Sequence, residues 1–345
     1  MTGKDLKVIC VGIGEMGKIG VQTLIDHEVE IVAAVDINEA IVGKDVAEHA
    51  GYPACGIIIE NDLEAAIERT KPNVAFFATV SEMELLKDDL TVCARHKLDV
   101  VTVGIEPYYP YQADPELAKQ MDDLFKENGV SLFASGINDV WWSGIGMDIV
   151  GTLKKVEAVD FKNKLALDGM GAGVADEFQV NHDPDEFREV MSKINLAKDP
   201  SVSGPLLSLY VNAEIMGLHV TDTKIEVEPI CAEEDRPMPQ WDMVIGKGRM
   251  LGQSFNISMI TEEGIDLTTS MIIKVMDEGE KPGTTWDVKG EPPIHLDLND
   301  ICGEITTSST AINRIPDIVA AKPGIVTLAD LLERPRYRHG AWGEL

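Results

Sequence analysis

Apolar positions along the first 140 residues fall into two alternating periods. Val8 to Val11 is a short apolar run ending at Gly12, which reads as a buried parallel strand. Residues 15–27 place Met16, Ile19, Leu24 and Ile25 at helical spacing. Glu30 to Asp36 is a second strand, residues 39–50 a helix closed by Gly51, and residues 62–70 a helix stopped by Pro72. Val74 to Thr79, Asp99 to Gly104 and Val130 to Ala134 are further strands, separated by helices over 82–97 and 115–128. This rhythm predicts a doubly wound parallel α/β sheet of the Rossmann type, covered on both faces.

The pattern changes after residue 150. Residues 156–163, 223–230, 250–264 and 266–276 alternate as long strands of an open, largely antiparallel sheet, and helices are expected near 184–196 and 204–217. Residues 308–321 read as one more helix, broken by Lys322-Pro323-Gly324 and expected to pack back on the first domain. The expected organisation is a dinucleotide-binding domain of residues 1–145 and 305–345, with an α+β substrate-binding and dimerisation domain of residues 146–304 carrying an open mixed sheet.

Composition narrows the partners. The chain has 345 residues and a formal net charge of −29, with 44% hydrophobic residues. The charge is −15 over residues 1–150 and −14 over the rest, so no acidic tail accounts for it. Such an even excess disfavours nucleic acid and anionic membranes as partners. The five cysteines are scattered without a CxxC pair, which reads as reduced thiols in a cytoplasmic protein, and no His/Cys/Asp spacing suggests a metal. No apolar run reaches the ~18 residues a membrane helix needs, and no signal peptide is expected. A homodimer is expected from the open sheet.

The candidate chemistry begins at Gly12-Ile13-Gly14-Glu15-Met16-Gly17, a GxGxxG placed between a strand and a helix. Gly12 permits the turn, Gly14 admits a pyrophosphate to the backbone, and Gly17 lets helix and strand pack closely. Asp36 follows 19 residues after Gly17, at the end of the second strand, where it binds adenosine ribose hydroxyls or caps the segment after it. A carboxylate there repels a 2′-phosphate, so NAD is favoured, with NADP possible. Ligands sit at the carboxyl ends of strands in such sheets. That brings Ala78, Thr79 and Val80, then Glu106, then Gly136 and Asn138 to the nicotinamide side. Glu106 is either a catalytic carboxylate or a surface acid.

Several segments resemble a known family. Ile105-Glu106-Pro107 is similar to the EKP motif of glucose–fructose oxidoreductases, but the lysine is absent. The paired histidines and the lysine-bearing loop of dihydrodipicolinate reductase are absent too. The closer resemblance is to the 2,4-diaminopentanoate dehydrogenase and native amine dehydrogenase family. It is carried by GIGEMG at 12–17, IVGKDVAEHAG at 41–51, the Glu106 strand end with Tyr109-Pro110 behind it, and NRIPDIVAAKPGIVTLADL at 313–331. The resemblance implies a dihydrodipicolinate reductase-like fold and NAD(P)-dependent chemistry on a C–N bond. Its catalytic glutamate falls on Glu106. One departure touches substrate identity: the family's G-I-N-P-G reads Gly136-Ile137-Asn138-Asp139-Val140 here. Asp139, Trp141 and Trp142 therefore become candidate substrate contacts, the tryptophans alternatively core or interface aromatics. His182 follows a glycine-rich stretch, Gly169 to Gly173, readable as a lid over the substrate or as a surface connection. The alternatives are a reductase of a carbonyl, cyclic imine or conjugated C=C, and a non-catalytic dinucleotide sensor or scaffold.

Overall fold

The fold is taken from a computed structural model of the chain, which describes residues 6–168, 175–176, 178–198 and 200–331. Two compact units divide between Val140 and Trp141 and again between Cys302 and Gly303. The first unit is thus assembled from two separate stretches of the chain.

Its sheet has seven strands: β1 (Lys7–Val11), β2 (Glu30–Val35), β3 (Ile59–Glu60), β4 (Val74–Phe77), β5 (Asp99–Thr102), β6 (Ser131–Ala134) and β15 (Gly324–Ile325). The order is β15-β6-β5-β4-β1-β2-β3 and every pairing is parallel. The order reverses at β1 and β4, which makes the mouth between them the ligand crevice of such a sheet. Strand residues alternate between the two faces. Ile9, Ala75, Phe77 and Val100 pack under helices α3 (Leu63–Thr70), α4 (Met83–Arg95) and α6 (Pro115–Asn128). On the opposite face Val8, Cys10, Phe76, Val101 and Phe133 meet α1 (Glu15–Asp26) and α11 (Gly303–Val319). The helix starts are local chemistry: Asp62 and Asp114 accept backbone N–H bonds at the starts of α3 and α6, and Gly129 closes α6 in the left-handed region.

The expected helix over 39–50 is replaced by turns and a single four-residue helix, α2 (Val46–His49). Gly43 takes φ +88°, which interrupts helical geometry, and the Asp45 carboxylate then accepts from Ala47 N and Glu48 N to start the helix late. The short strands β3 and β15, absent from the apolar-run reading, each add two residues to an edge of the sheet.

The second unit is built on six strands in the order β14-β13-β7-β12-β11-β8. They are β7 (Lys155–Ala166), β8 (Val220–Cys231), β11 (Met250–Thr261), β12 (Asp266–Lys274), β13 (Gly283–Glu291) and β14 (Ile294–Asn299); the small ribbon of β9 (Arg236–Met238) and β10 (Met243–Ile245) stands apart. β7 and β12 run parallel and the other pairs antiparallel, so the sheet is mixed rather than antiparallel throughout. On one face Phe161, Trp286, Phe255, Leu267 and Met271 are buried. The Trp286 ring stacks on Phe161 with centroids 4.9 Å apart, and a side chain at Gly146, in α8 (Ile145–Val150), would strike that indole. The other face presents Ser254, Asn256, Ser258, Thr268 and Ser270, all half-buried. The second unit also carries α9 (Pro184–Met191) and α10 (Pro200–Met216). No helix among the described residues is long and apolar enough to cross a membrane.

Candidate active site

At the mouth of the parallel sheet three strand ends meet through their backbones. Gly12 turns with φ +82° and donates its N–H to Val35 O at 2.8 Å. A Cβ on Gly12 would lie 2.4 Å from Ala78 O, and one on Gly17 would lie 1.9 Å from Gly12 O, so both positions demand glycine. Gly14 is different: nothing lies within 4 Å of where its Cβ would be. That open space, beside the start of α1, leaves room for an anion such as a pyrophosphate to approach the backbone. Gly14 gives α1 no side-chain cap, so the first-turn N–H groups and the helix dipole are free to meet an anion. Glu15 and Met16 lie in that first turn. Lys18 is bonded to Glu15 at 2.5 Å, so its ammonium is already paired with a carboxylate.

Asp36 closes the same turn. Its Oδ2 accepts from Ile13 N at 2.6 Å and its Oδ1 from Asn38 N at 2.8 Å. The carboxylate therefore both braces the glycine loop and orders the chain after β2.

The β4 end, Ala78-Thr79-Val80, abuts Gly12 on one side and the β5 end on the other. A Cβ on Gly104 would sit 3.0 Å from Val80 O, and Glu106 N donates to Ser81 O at 3.0 Å. Glu106 opens a short 3₁₀ turn, Glu106–Tyr108, and is half-buried. Its Oε2 accepts from Met83 N at 2.8 Å, the first residue of α4. The residue before it, Glu82, makes no side-chain cap bond, so Glu106 caps α4 from a different strand end. One carboxylate oxygen is thereby fixed in place. The other, Oε1, bonds to nothing among the described residues.

The β6 end is held more tightly. A Cβ at Gly136 would lie 2.9 Å from Asn138 Oδ1, and Ile137 N donates to Thr307 Oγ1 on α11. Asn138 O accepts from Tyr108 Oη at 3.2 Å, which ties this strand end to the Glu106 turn. Asp139 is completely buried. Arg314 binds it with two parallel bonds, Nε to Oδ2 at 2.8 Å and Nη2 to Oδ1 at 2.7 Å, and Ser135 Oγ adds a third at 2.8 Å. The hydrogen bond and charge of Asp139, against the opposing cost of burial, raise the Arg314 guanidinium above its ordinary range, with Asp317 adding to the effect. A carboxylate engaged in this way is a structural fastener between β6 and α11, not the free substrate contact the sequence suggested. Arg314, Tyr108 and Thr307 were missed by the sequence reading. The one available signal was that Arg314 lies in the family-like segment 313–331.

The remaining candidates belong to the second unit. Trp141 is half-buried and its carbonyl accepts from Trp286 Nε1 at 3.0 Å. Trp142 is buried, its carbonyl accepts from Asn212 Nδ2, and its ring edge lies against Gly204. Its own Nε1 has no partner among the described residues. Both sit in a wide π-type turn, Val140–Gly144, of the kind often found at functional positions. His182 is exposed, on a loop stapled to β11 by Asn181 N to Met250 O and Met250 N to His182 O. The glycine-rich stretch before it, at 169–173, lies outside the described residues. His219, which looks isolated along the chain, meets Glu263 through Nδ1 at 2.6 Å, and with Glu262 it brings three potential ligand atoms within 4.8 Å.

A family model for the 2,4-diaminopentanoate dehydrogenase C-terminal domain matches residues 146–337, more than half of the chain. The chain belongs to this family. A second model, the N-terminus of dihydrodipicolinate reductase, matches residues 6–105. The 2,4-diaminopentanoate dehydrogenase of Acetoanaerobium sticklandii is 26% identical over 338 residues, covering 95% of this chain and 94% of that protein. An amine dehydrogenase of Streptomyces virginiae is 26% identical over 146 residues, 41% of this chain and 40% of its own. The solved structure of an amine dehydrogenase from Mycobacterium smegmatis superposes with a TM-score of 0.83 at 28% identity, over 96% of this chain and 98% of that one. The class of activity follows with the diaminopentanoate dehydrogenase family: a nicotinamide-dependent dehydrogenase acting on a carbon–nitrogen bond. The open space above Gly14 and the uncapped start of α1 fit that cofactor.

Proposed function

We propose that this dehydrogenase interconverts a small amine or diamine with the corresponding ketone or aldehyde, using NAD, with Glu106 as its catalytic carboxylate. The observation that carries the reading is Glu106 itself. It is presented at the β5 end, two strands from the glycine turn, with Oε2 fixed by Met83 N and Oε1 without a bond among the described residues.

In the oxidative direction an ammonium substrate loses a proton, and its C–H hydride leaves from the carbon bearing nitrogen. Water then adds to the iminium, and a ketone and ammonium ion depart, with one proton released overall. The dinucleotide, when bound, takes up that hydride. Glu106 accepts the proton from the ammonium group and stabilises the positive charge that builds on nitrogen. The Met83 N–H holds the carboxylate in one orientation, so little rearrangement accompanies that charge development. Backbone amides of Gly14, Glu15 and Met16 hold the pyrophosphate without a lysine. Asp36 favours NAD because a 2′-phosphate would face its charge. Gly136, Asn138, Thr79 and Val80 line the nicotinamide side, and Trp141, Trp142 and His182 are carried as substrate contacts. A cytoplasmic homodimer completes the reading; for the dimer, the support is the second unit's sheet face of half-buried serine, threonine and asparagine.

The test pairs binding with turnover. Glu106→Gln should bind NADH as the unaltered protein does and lose most activity on a panel of amines and diamines. An active variant would remove Glu106 from the mechanism. Ammonia-dependent oxidation of NADH with ketones separates C–N chemistry from a simple carbonyl or imine reductase, which needs no ammonia.

A further inference from the structure

The segment 41–51 is part of the family likeness but has no place in the chemistry above. Its geometry supplies one. Asp45 is buried and its carboxylate accepts four backbone bonds: Ala47 N at 2.9 Å, Glu48 N at 3.1 Å, Cys55 N at 3.3 Å and Gly56 N at 2.7 Å. These fold the excursion into a closed loop around α2. Gln22 Nε2 bonds to Ala50 O at 2.7 Å and Tyr52 Oη to Asp26 at 2.8 Å, so the loop is fastened along α1. The result is that His49 reaches the glycine turn, with Nε2 3.0 Å from Ile13 O. A carbonyl oxygen only accepts, so Nε2 carries the proton.

The two groups of Ile13 are thus held from opposite sides: its N–H by Asp36 and its C=O by His49. The peptide between Ile13 and Gly14 is planar and trans, so fixing the carbonyl toward His49 turns the Gly14 N–H the other way. If that peptide flipped, a carbonyl oxygen would take the place of the Gly14 N–H, at a glycine with nothing within 4 Å of where a Cβ would be. Nothing bulky at Gly14 resists such a flip, because glycine lacks a Cβ.

We infer that His49 is a positioning residue for the dinucleotide pyrophosphate: it locks the Ile13–Gly14 peptide with its N–H toward the cofactor. The inference rests on the dinucleotide reading above. It gives the 41–56 excursion the task of carrying one imidazole to one carbonyl.

The experiment is a fluorescence titration of the whole protein with NADH, alongside thermal melting. His49→Leu keeps the bulk and removes the donor. His49→Gln restores an N–H near the position of Nε2. The Leu variant should bind NADH about tenfold more weakly, a change of about one power of ten in Kd. Its KM for cofactor should rise more than its kcat falls. The Gln variant should return to within about threefold of the unaltered protein, a range set by one hydrogen bond's worth of affinity. Unchanged NADH affinity in a folded Leu variant overturns the proposal. So does equal weakening in both variants with an equal drop in melting temperature, which is the signature of loop packing alone. If the unaltered protein binds neither NADH nor NADPH, the dinucleotide reading itself falls and takes the proposal with it.

Discussion

Two carboxylates stand at neighbouring strand ends of the same sheet and do opposite things. Glu106, after β5, has one oxygen held by a backbone N–H and the other unengaged among the described residues. Asp139, after β6, has both oxygens bonded, two bonds from one guanidinium and one from a hydroxyl, and is wholly buried. A strand-end rule alone nominates both. What separates them is saturation: a carboxylate surrounded by fixed donors stabilises the fold, whereas one with a spare lone-pair set can exchange a proton.

The sharpest way to break this contrast is to neutralise each acid without changing its shape. Glu106→Gln keeps an oxygen for Met83 N, so melting temperature should barely move. Turnover should fall by about 10²–10⁴, the usual contribution of a positioned acid–base group, or roughly 3–5 kcal/mol of barrier. Steady-state kinetics and a melting curve on the same preparation decide it. Asp139→Asn should show the reverse weighting. It leaves the Arg314 guanidinium, mostly buried, facing a neutral amide, and breaking a buried pair costs on the order of 3 kcal/mol of stability. The paired change Asp139→Leu with Arg314→Met should recover a large part of that loss in denaturant unfolding. If Asp139→Asn instead keeps its stability and abolishes turnover, Asp139 belongs to the chemistry and the contrast is wrong.

Between the two acids lies the bond from Tyr108 Oη to Asn138 O. Tyr108→Phe removes it while keeping the buried ring. A loss of about 1 kcal/mol in unfolding free energy is expected, typical of one net hydrogen bond. A change in kcat larger than about tenfold would mean the bond also sets the orientation of the Glu106 turn.

How much of this was readable beforehand follows physical lines. The glycine turn was legible because a strand, three glycines and Asp36 are close in sequence and each glycine answers to a separate steric demand. The place of Glu106 at the end of β5 was legible from topology alone. The partner of Asp139 was not, because Arg314 is 175 positions away and nothing local marks it. The segment 39–50, expected as a helix closed by Gly51, does bury Ile41, Val46, Ala47 and Ala50. The φ of Gly43 and the donors gathered by Asp45 bend it into a loop instead. Strands β13 and β14 do alternate, as in Thr284, Trp286 and Val288 against Thr285, Asp287 and Lys289. Their apolar sets are small, and Pro282, Pro292 and Pro293 around them read as loop.

Asp45 extends the comparison to a third carboxylate and offers the gentlest test of it. Burial pushes its carboxyl up, but four backbone N–H groups outweigh burial and hold it below the ordinary range. A group depressed in the folded state adds stability above its unfolded value, near 3.9, and loses it as pH falls through the folded one. The first unit should therefore lose stability on acidification below about pH 4, and Asp45→Asn should flatten that part of the curve while lowering stability at neutral pH. Circular dichroism melts from pH 6 to pH 3 measure both. Since Asp45 builds the loop that carries His49, the same variant should also weaken NADH binding at pH 7, by less than His49→Leu does. Weaker binding with an unchanged acid limb would separate the loop's service to the cofactor from its contribution to stability. Asp45 would then stand nearer to Glu106 than to Asp139.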